Sequence, residues 1–396
     1  MQHPTRLQAM IAGILSIILT LGIARFAYTP LLPLMQEQAG LSLAGGGHLA
    51  AYNYFGYLCG ALAASMISNL YLKDRLFRLG LLVAILSTIG MGLTTQMWLW
   101  SLLRFLSGLS SAAGLLMGTG LILNWLLRQN HKSELGLHFS GIGLGIAFGA
   151  MAVALMEPWL DWQQQWWVLS GLGVILAAIT LYWFPQPDAT PFSQNGQRLE
   201  DHPPSPLFMR IFMAAYFCAG IGYVVSATFI VAVMEALPGQ QGYGNSAFII
   251  LGLAAAPACL IWDIVARRVG EIPALIIASI LQVVGIVLPL WLDGLFWAMF
   301  GAILFGGTFI GIVSLVLTMA GHYYPTRPAK MMGRMTLSYG VAQIIGPAVT
   351  GWIATQTGNY SAGLYIAAAM MLLGTALLLI LHAVQKRDEA ALAHPA

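Results

Sequence analysis

Apolar runs, each long enough to cross a hydrocarbon core of about 30 Å as a helix of about 20 residues, follow one another along this chain and leave little between them. They fall at about 8–35, 45–70, 78–95, 99–127, 135–157 and 164–184. After a polar break they resume at about 208–234, 245–266, 272–291, 295–320, 332–356 and 360–384. Backbone polar groups in lipid must be satisfied within the protein, so this succession specifies an all-α membrane protein rather than a soluble domain. Charge says the same. Asp, Glu, Lys and Arg make up 8% of 396 residues, against about 25% in ordinary soluble domains. The first run continues from Leu7 through Arg25 to Pro33. That is longer than the roughly 7–15 residues of a cleaved leader, so it reads as a retained first helix.

Basic residues test the helix count independently. With a cytoplasmic N-terminus, the inner connections hold Arg6; Lys73, Arg75 and Arg78; Arg128 and Lys132; Arg198 and Arg210; Arg267 and Arg268; Arg327, Lys330 and Arg334; and Lys386 and Arg387. The outer connections hold Glu37, Asp161 and Asp293 but no Lys or Arg. Lys and Arg resist translocation, so this one-sided placement predicts twelve spanning helices with both termini cytoplasmic, in a bacterial inner membrane. The basic residues form no stripe that could follow a phosphate backbone, which excludes nucleic acid as a partner.

The only long polar stretch, 185–206, is rich in Pro, Ser, Gln and Asp and reads as a cytoplasmic linker. It divides the chain into a six-helix bundle at 1–184 and a second at 207–396 with a short cytoplasmic tail. A faint repeat relates the two. Asp74 precedes Arg78 by four residues after the second helix, and Asp263 precedes Arg267 and Arg268 by four and five after the eighth. Gly108 of the fourth helix has a counterpart in Gly306-Gly307 of the tenth. Six-plus-six parallel repeats are a known transporter arrangement. Cys59, Cys218 and Cys259 all fall inside apolar stretches and read as packing residues, with no disulfide, metal or other cofactor expected.

Four segments carry a resemblance to the major facilitator superfamily, and within it to the bacterial YbfB/YjiJ-like branch. They are Gly22-Ile-Ala-Arg-Phe-Ala-Tyr-Thr-Pro-Leu-Leu-Pro33, Asn53-Tyr-Phe-Gly-Tyr-Leu-Cys-Gly60, Arg104-Phe-Leu-Ser-Gly108 and Gly340-Val-Ala-Gln-Ile-Ile-Gly-Pro347. The superfamily's loop motif, Gly-x-x-x-Asp-Arg-x-Gly-Arg-Arg, is kept in part. Asp74, Arg75 and Arg78 match, while Leu70 and Phe77 replace glycines; the second copy keeps Asp263, Arg267 and Arg268. The resemblance implies two pseudo-symmetric bundles, alternating access around a central site, and an inner gate built from those six charged residues. Helix 5 ends in Glu157-Pro158 and lacks the Gly-Pro of the antiporter pattern.

Arg25 and Arg104 are the basic residues left inside spans. Arg25 lies about 22 Å along helix 1, and Arg104 about 9 Å from the outer side on helix 4, so both sit at similar depth. An unpaired charge there costs at least about 2.5–3.5 kcal/mol. One reading is an electropositive cavity in which guanidinium forks grip a carboxylate. The other is structural, with Arg104 serving its motif and Arg25 snorkelling or bonding backbone carbonyls freed near Pro30. Asn53 and Gln343 lie near mid-depth and could orient a substrate or bridge the halves. Tyr28, Tyr223 and Tyr339 complete the candidate substrate-binding set. Gly56-x-x-x-Gly60 and Gly141-x-x-x-Gly145-x-x-x-Gly149 allow close helix approach, where the halves could rock. Glu37, Glu157 and Glu235 stand near outer helix ends, and His48 and His138 read as interfacial, so a coupled proton stays open as a partner.

The expected function is transport of a small organic solute, leaning to an organic anion or carboxylate, by a protein working as a monomer in the lipid bilayer. The alternative is proton-coupled efflux of hydrophobic or cationic drugs, favoured by 11% aromatic residues and 19 methionines. No His-Glu-x-x-His, Gly-x-Ser-x-Gly or nucleotide loop is present, which argues against an enzyme.

Overall fold

The computed structural model describes residues 4–67, 69–129, 135–187, 203–323 and 328–393, and among these there is no strand. Helical rods account for nearly all of it. α1, Arg6–Ala39, is one rod whose middle, Ile18–Phe26, winds as a π-helix. α2 is Leu43–Met66 and α3 Leu70–Met91. α4 runs Met97–Ala112, passes a π segment at Ala113–Met117 and continues as Gly118–Arg128. α5 is Leu135–Met156 and α6 Trp162–Trp183. In the second half, α7 is Pro206–Ala236. α8 comprises Gly244–Ala255 and Ala258–Val269, bent by 48°. α9 is Glu271–Trp291, α10 Leu295–Tyr323, α11 Pro328–Thr357 and α12 Ser361–Ala393.

Local chemistry sets these boundaries. Thr5 and Asp161 close capping boxes with Gln8 and Gln164, and Ser42, Asn69 and Ser205 each accept an N–H from the first turn they precede. Pro257 stands at the break in α8, where its missing N–H and ring interrupt the helix. Among the described residues, eight rods, or nine with the bent α8, are apolar and long enough on their own to cross a membrane. α2, α3 and α11 have the length, at 24, 22 and 30 residues, but carry glycine-rich, charged or amide-bearing turns.

The distribution of side chains matches lipid as the outer solvent. Leu86, Leu155, Val174, Phe300 and Leu372 are exposed, and water would penalise such a surface. Buried Ser16, Thr88, Thr308 and Thr375 donate to carbonyls three or four residues back in their own helices. Across the halves, α2 packs on α11, α5 on α8 and α1 on α7. The repeat appears in three dimensions. A Cβ at Gly108 would collide with the Asn53 carbonyl of α2, and one at Gly306 with the Leu251 carbonyl of α8.

Several expectations need correction. α3 begins at Leu70 rather than 78, so Asp74, Arg75 and Arg78 are helical, not in a loop; the Asn69 cap and an Asp74–Arg78 ion pair one turn apart at 2.8 Å sustain those charged turns. α2 accordingly stops at Met66. α12 continues to Ala393, so Lys386 and Arg387 stand on a helix instead of a tail. The glycine stripes do not lie where halves meet. Gly56 and Gly60 pack on α4, and Gly141, Gly145 and Gly149 on α1, all within the first half. Gly143, on the opposite face of α5, meets Gly252 and Ala256 of α8 instead. Lys132, Arg198 and Arg327, the side chains of Arg128 and Lys330, and linker residues 188–202 lie outside the described set.

Candidate functional site

Arg104 is held by helix 1. Its Nη1 donates to the Ala24 carbonyl at 3.1 Å, both Nη atoms reach the Arg25 carbonyl at 3.4 Å, and its guanidinium lies 4.4 Å over the Tyr28 ring. The carbonyls are available because the π-helical turn departs from the regular ladder just before Pro30, which has no N–H to give. Neighbouring groups complete the knot. Ser107 donates to the Ala24 carbonyl, Ser111 to the Thr20 carbonyl, and Asn53 Nδ2 to the Arg104 carbonyl at 3.0 Å and Ser107 Oγ at 3.1 Å. Asn53 therefore ties α2 to α4 inside one half and does not bridge the halves. Tyr28 donates to the Gly46 carbonyl at 2.9 Å, anchoring α1 to α2.

Arg25 is buried too, at 5% exposure, but its surroundings differ. Its guanidinium lies 4.4 Å from the Tyr54 ring, 4.7 Å from Tyr57 and 5.3 Å from Phe26, and Nε has no hydrogen-bond partner. The groups acting on it electrostatically are Tyr223, Tyr54 and Tyr57, with no carboxylate among them. Tyr223 and Tyr339 come from the opposite half, where Tyr339 stacks on Tyr216 and Tyr223, and Tyr223 on Phe309. Arg25, Tyr223 and Tyr339 are thus brought together between the halves. Gln343 is buried on α11 with Oε1 unpartnered, and Arg104, Asn53 and Tyr28 form the adjoining knot.

Sequence reasoning missed Tyr54, Tyr57 and Tyr216. Tyr54 and Tyr57 stand three residues apart on one face of α2, and Tyr216 and Tyr223 seven apart on α7, spacings that mark shared faces.

The six charged residues expected at an inner gate form two ion pairs and leave two exposed. Asp74 pairs with Arg78 and Asp263 with Arg267, each within its own helix, while Arg75 and Arg268 are exposed. Phe77, at a motif glycine's place, is buried and stacks on Phe184 at 4.2 Å. At the end where α1 finishes, hydrogen bonds cross the halves. Gln36 donates to the Tyr360 hydroxyl at 2.7 Å, Tyr360 donates to the Leu43 carbonyl, and Asn245 Nδ2 donates to Glu157 Oε2 at 3.0 Å. Deeper in, Thr29 donates to the Ala227 carbonyl at 3.0 Å. Glu235 accepts the Gly242 and Gly244 N–H groups, bracing the start of α8. Partial burial raises the Glu157 carboxyl above the usual carboxylate range, the charges of Glu235 and Glu37 add to this, and the Asn245 bond opposes it.

His138 is not interfacial as expected. It is buried against Gly13 of α1, with Nε2 3.0 Å from Thr119 Oγ1 of α4, because three helices converge on its small neighbours. His48 does lie at the periphery, lining a groove of about 680 Å³ with Tyr52, Phe55, Gln96, Trp98 and Ile344.

A lipid-faced helical body, two bundles in contact along several helix pairs and a buried cation between them define a polytopic membrane transporter. Residues 17–379 match the family described as uncharacterised MFS-type transporter YbfB, and the chain belongs to that family. It is 25% identical over 353 residues to the uncharacterised MFS-type transporter YceJ of Bacillus subtilis strain 168, covering 86% of this chain and 82% of that one. It is 28% identical over 159 residues to the 4-hydroxybenzoate transporter PcaK of Pseudomonas putida, covering 39% and 34%. A 130-residue match to the uncharacterised transporter mfc1 of Schizosaccharomyces pombe, 26% identical, spans 26% of that protein. The fold is shared with a solved mutant form of the nucleoside transporter NupG, with a TM-score of 0.75 at 15% identity over 95% of this chain and 99% of that one.

Proposed function

We propose that this protein carries a small organic anion across a bacterial inner membrane by alternating access, with Arg25 gripping the substrate's carboxylate. One observation carries the reading: Arg25 is buried between the halves with aromatic faces around it and no carboxylate acting on it. A bare charge at that depth is costly, and an incoming carboxylate offers the paired acceptors that a guanidinium fork matches. The carboxylate-bearing cargo named for PcaK agrees with this. The halves divide at 184 and 207, both termini face the cytoplasm, and the protein works as a monomer. The hydrogen bonds at the far end of α1 then close the outer side, while Asp74, Arg75, Arg78, Asp263, Arg267 and Arg268 sit at the inner gate.

Purified protein in proteoliposomes, offered labelled carboxylates, sugars and amines, tests the cargo. Uptake confined to carboxylates and lost in Arg25→Gln supports the reading; undiminished anion uptake by that variant ends it. A reporter fused after Gln38 should read periplasmic. The groove near Trp98 favours a second reading, efflux of hydrophobic compounds, because Tyr52, Phe55 and Trp98 are exposed beside it towards lipid. Drug resistance conferred on a sensitive strain and lost in Trp98→Ala would establish that instead.

A further inference from the structure

His138 takes no part in the site around Arg25, yet it is fully buried and its neighbours fix where its proton sits. Thr119 Oγ1 donates its own hydrogen to the Leu115 carbonyl, so towards His138 Nε2, 3.0 Å away, it can only accept. Nε2 therefore carries the N–H. Nδ1 is left as a bare acceptor without a partner, pressed on the backbone of α1: a Cβ at Gly13 would stand 2.6 Å from it. The Gly13 carbonyl is already taken by Ser16 Oγ at 2.7 Å. An imidazolium has two N–H donors, and in this arrangement the second would be buried without an acceptor. Among the described residues no charged group acts on the ring. Arg6 and Arg128 stand at the far tips of α1 and α4, roughly 10 and 13 Å away along the helix axes. α8 meets the other face of α5, at Gly136 and Gly143, and its Asp263 is paired with Arg267.

The two helices that close on His138 both change winding nearby. α1 becomes a π-helix at Ile18, five residues after Gly13, and α4 leaves one at Met117, two residues before Thr119. These π segments touch: Ser111 donates to the Thr20 carbonyl, and a Cβ at Gly114 would collide with the Thr20 side chain. Helices bend at such turns. Beyond them lie two arms, Arg6–Ile17 and Gly118–Arg128, and His138 of α5 sits between both. We propose that His138 is a proton-binding site, and that a proton taken up at Nδ1 parts the α1 and α4 arms at the end of the bundle opposite the Gln36–Tyr360 contact. Parting gives the new N–H access to water. Arg25 lies within the π segment that the α1 arm swings on, so proton uptake is transmitted to the residue assigned to the cargo. The inference goes beyond the cargo reading and stands without it.

Hydrogen–deuterium exchange of the full chain in detergent tests this, with rates corrected for the intrinsic effect of pH. From about pH 7.5 to about pH 5, exchange of both arms should rise about tenfold in the unmodified protein, while that of α9 stays level. His138→Gln keeps an N–H donor for Thr119 but cannot titrate, so its arms should hold a level profile. Gly13→Ala places a methyl against Nδ1 and should exchange fast at every pH. An equal rise in His138→Gln and the unmodified protein overturns the assignment. So does a level profile in the unmodified protein, or a rise that α9 shares. Gly13→Ala arms as protected as the unmodified ones at neutral pH overturn the latch on α1. Should a variant fail to fold, the profile of the unmodified arms against α9 still decides.

Discussion

The surroundings of Arg104 and of Arg25 adjoin at the same turn of α1, yet they neutralise the same charge in opposite ways. Around Arg104, backbone carbonyls of a π-helical turn, two serines and Asn53 form a closed hydrogen-bonded knot within the first half. Around Arg25 there are ring faces and a wall supplied by the other half, with no main-chain carbonyl on its guanidinium. The first arrangement engages both Nη atoms of its arginine on main-chain carbonyls and leaves only Nε without a partner. The second keeps donors free for a ligand. Burial alone does not separate them, at 2% and 5% exposure; partners do.

Removing each charge should therefore break different properties. Arg25→Gln carries the largest expected effect on cargo, a loss on the order of 100-fold in affinity, because a charge-assisted fork is replaced by a neutral amide. Its thermal stability in detergent should hold or rise, since an unpaired buried charge is gone. A variant that loses stability while binding its cargo normally would reverse the roles assigned to the two sites.

Arg104→Gln should do the converse. The Ala24 and Arg25 carbonyls lose charged donors in a buried place, at a cost of about 1–3 kcal/mol, and unfolding should shift to lower temperature. Cargo affinity of the folded fraction should change little. If affinity falls as far as in Arg25→Gln with stability intact, both arginines belong to one anion site and the contrast dissolves.

That contrast was half visible in the sequence. Two arginines inside apolar spans announced themselves by cost, and their shared depth followed from helix rise. Which one is satisfied depended on the π-helical winding of Ile18–Phe26, which shifts backbone carbonyls and leaves no mark in composition. The same limit hid the stacked tyrosines. Tyr54, Tyr57 and Tyr216 look like packing residues until α2 is placed opposite α7 and α11. The all-helical build was legible from apolar length, yet the start of α3 was missed because its first turns are as charged as a loop, and only the Asp74–Arg78 spacing hinted otherwise.

A smaller effect isolates what neither arginine can do. Arginine does not titrate in the working range, so pH dependence of the contacts at the end where α1 finishes must come from elsewhere, and Glu157 is placed to supply it. Its carboxyl joins α5 to α8 through Asn245, and burial with two neighbouring carboxylates raises it above the ordinary value of 4.5. A raised carboxyl means the folded state holds its proton more tightly than the unfolded chain. The contact is then most stable below about 4.5 and weakens as pH rises through the raised value. Glu157→Gln keeps an acceptor for Asn245 and removes the titration, so its unfolding temperature should lose a slope of about 1–2 °C that the unmodified protein shows over that window. Should the two proteins trace parallel curves from pH 4 to pH 7, Glu157 carries no pH response, and a proton-sensitive contact would have to be sought among the other groups at that end.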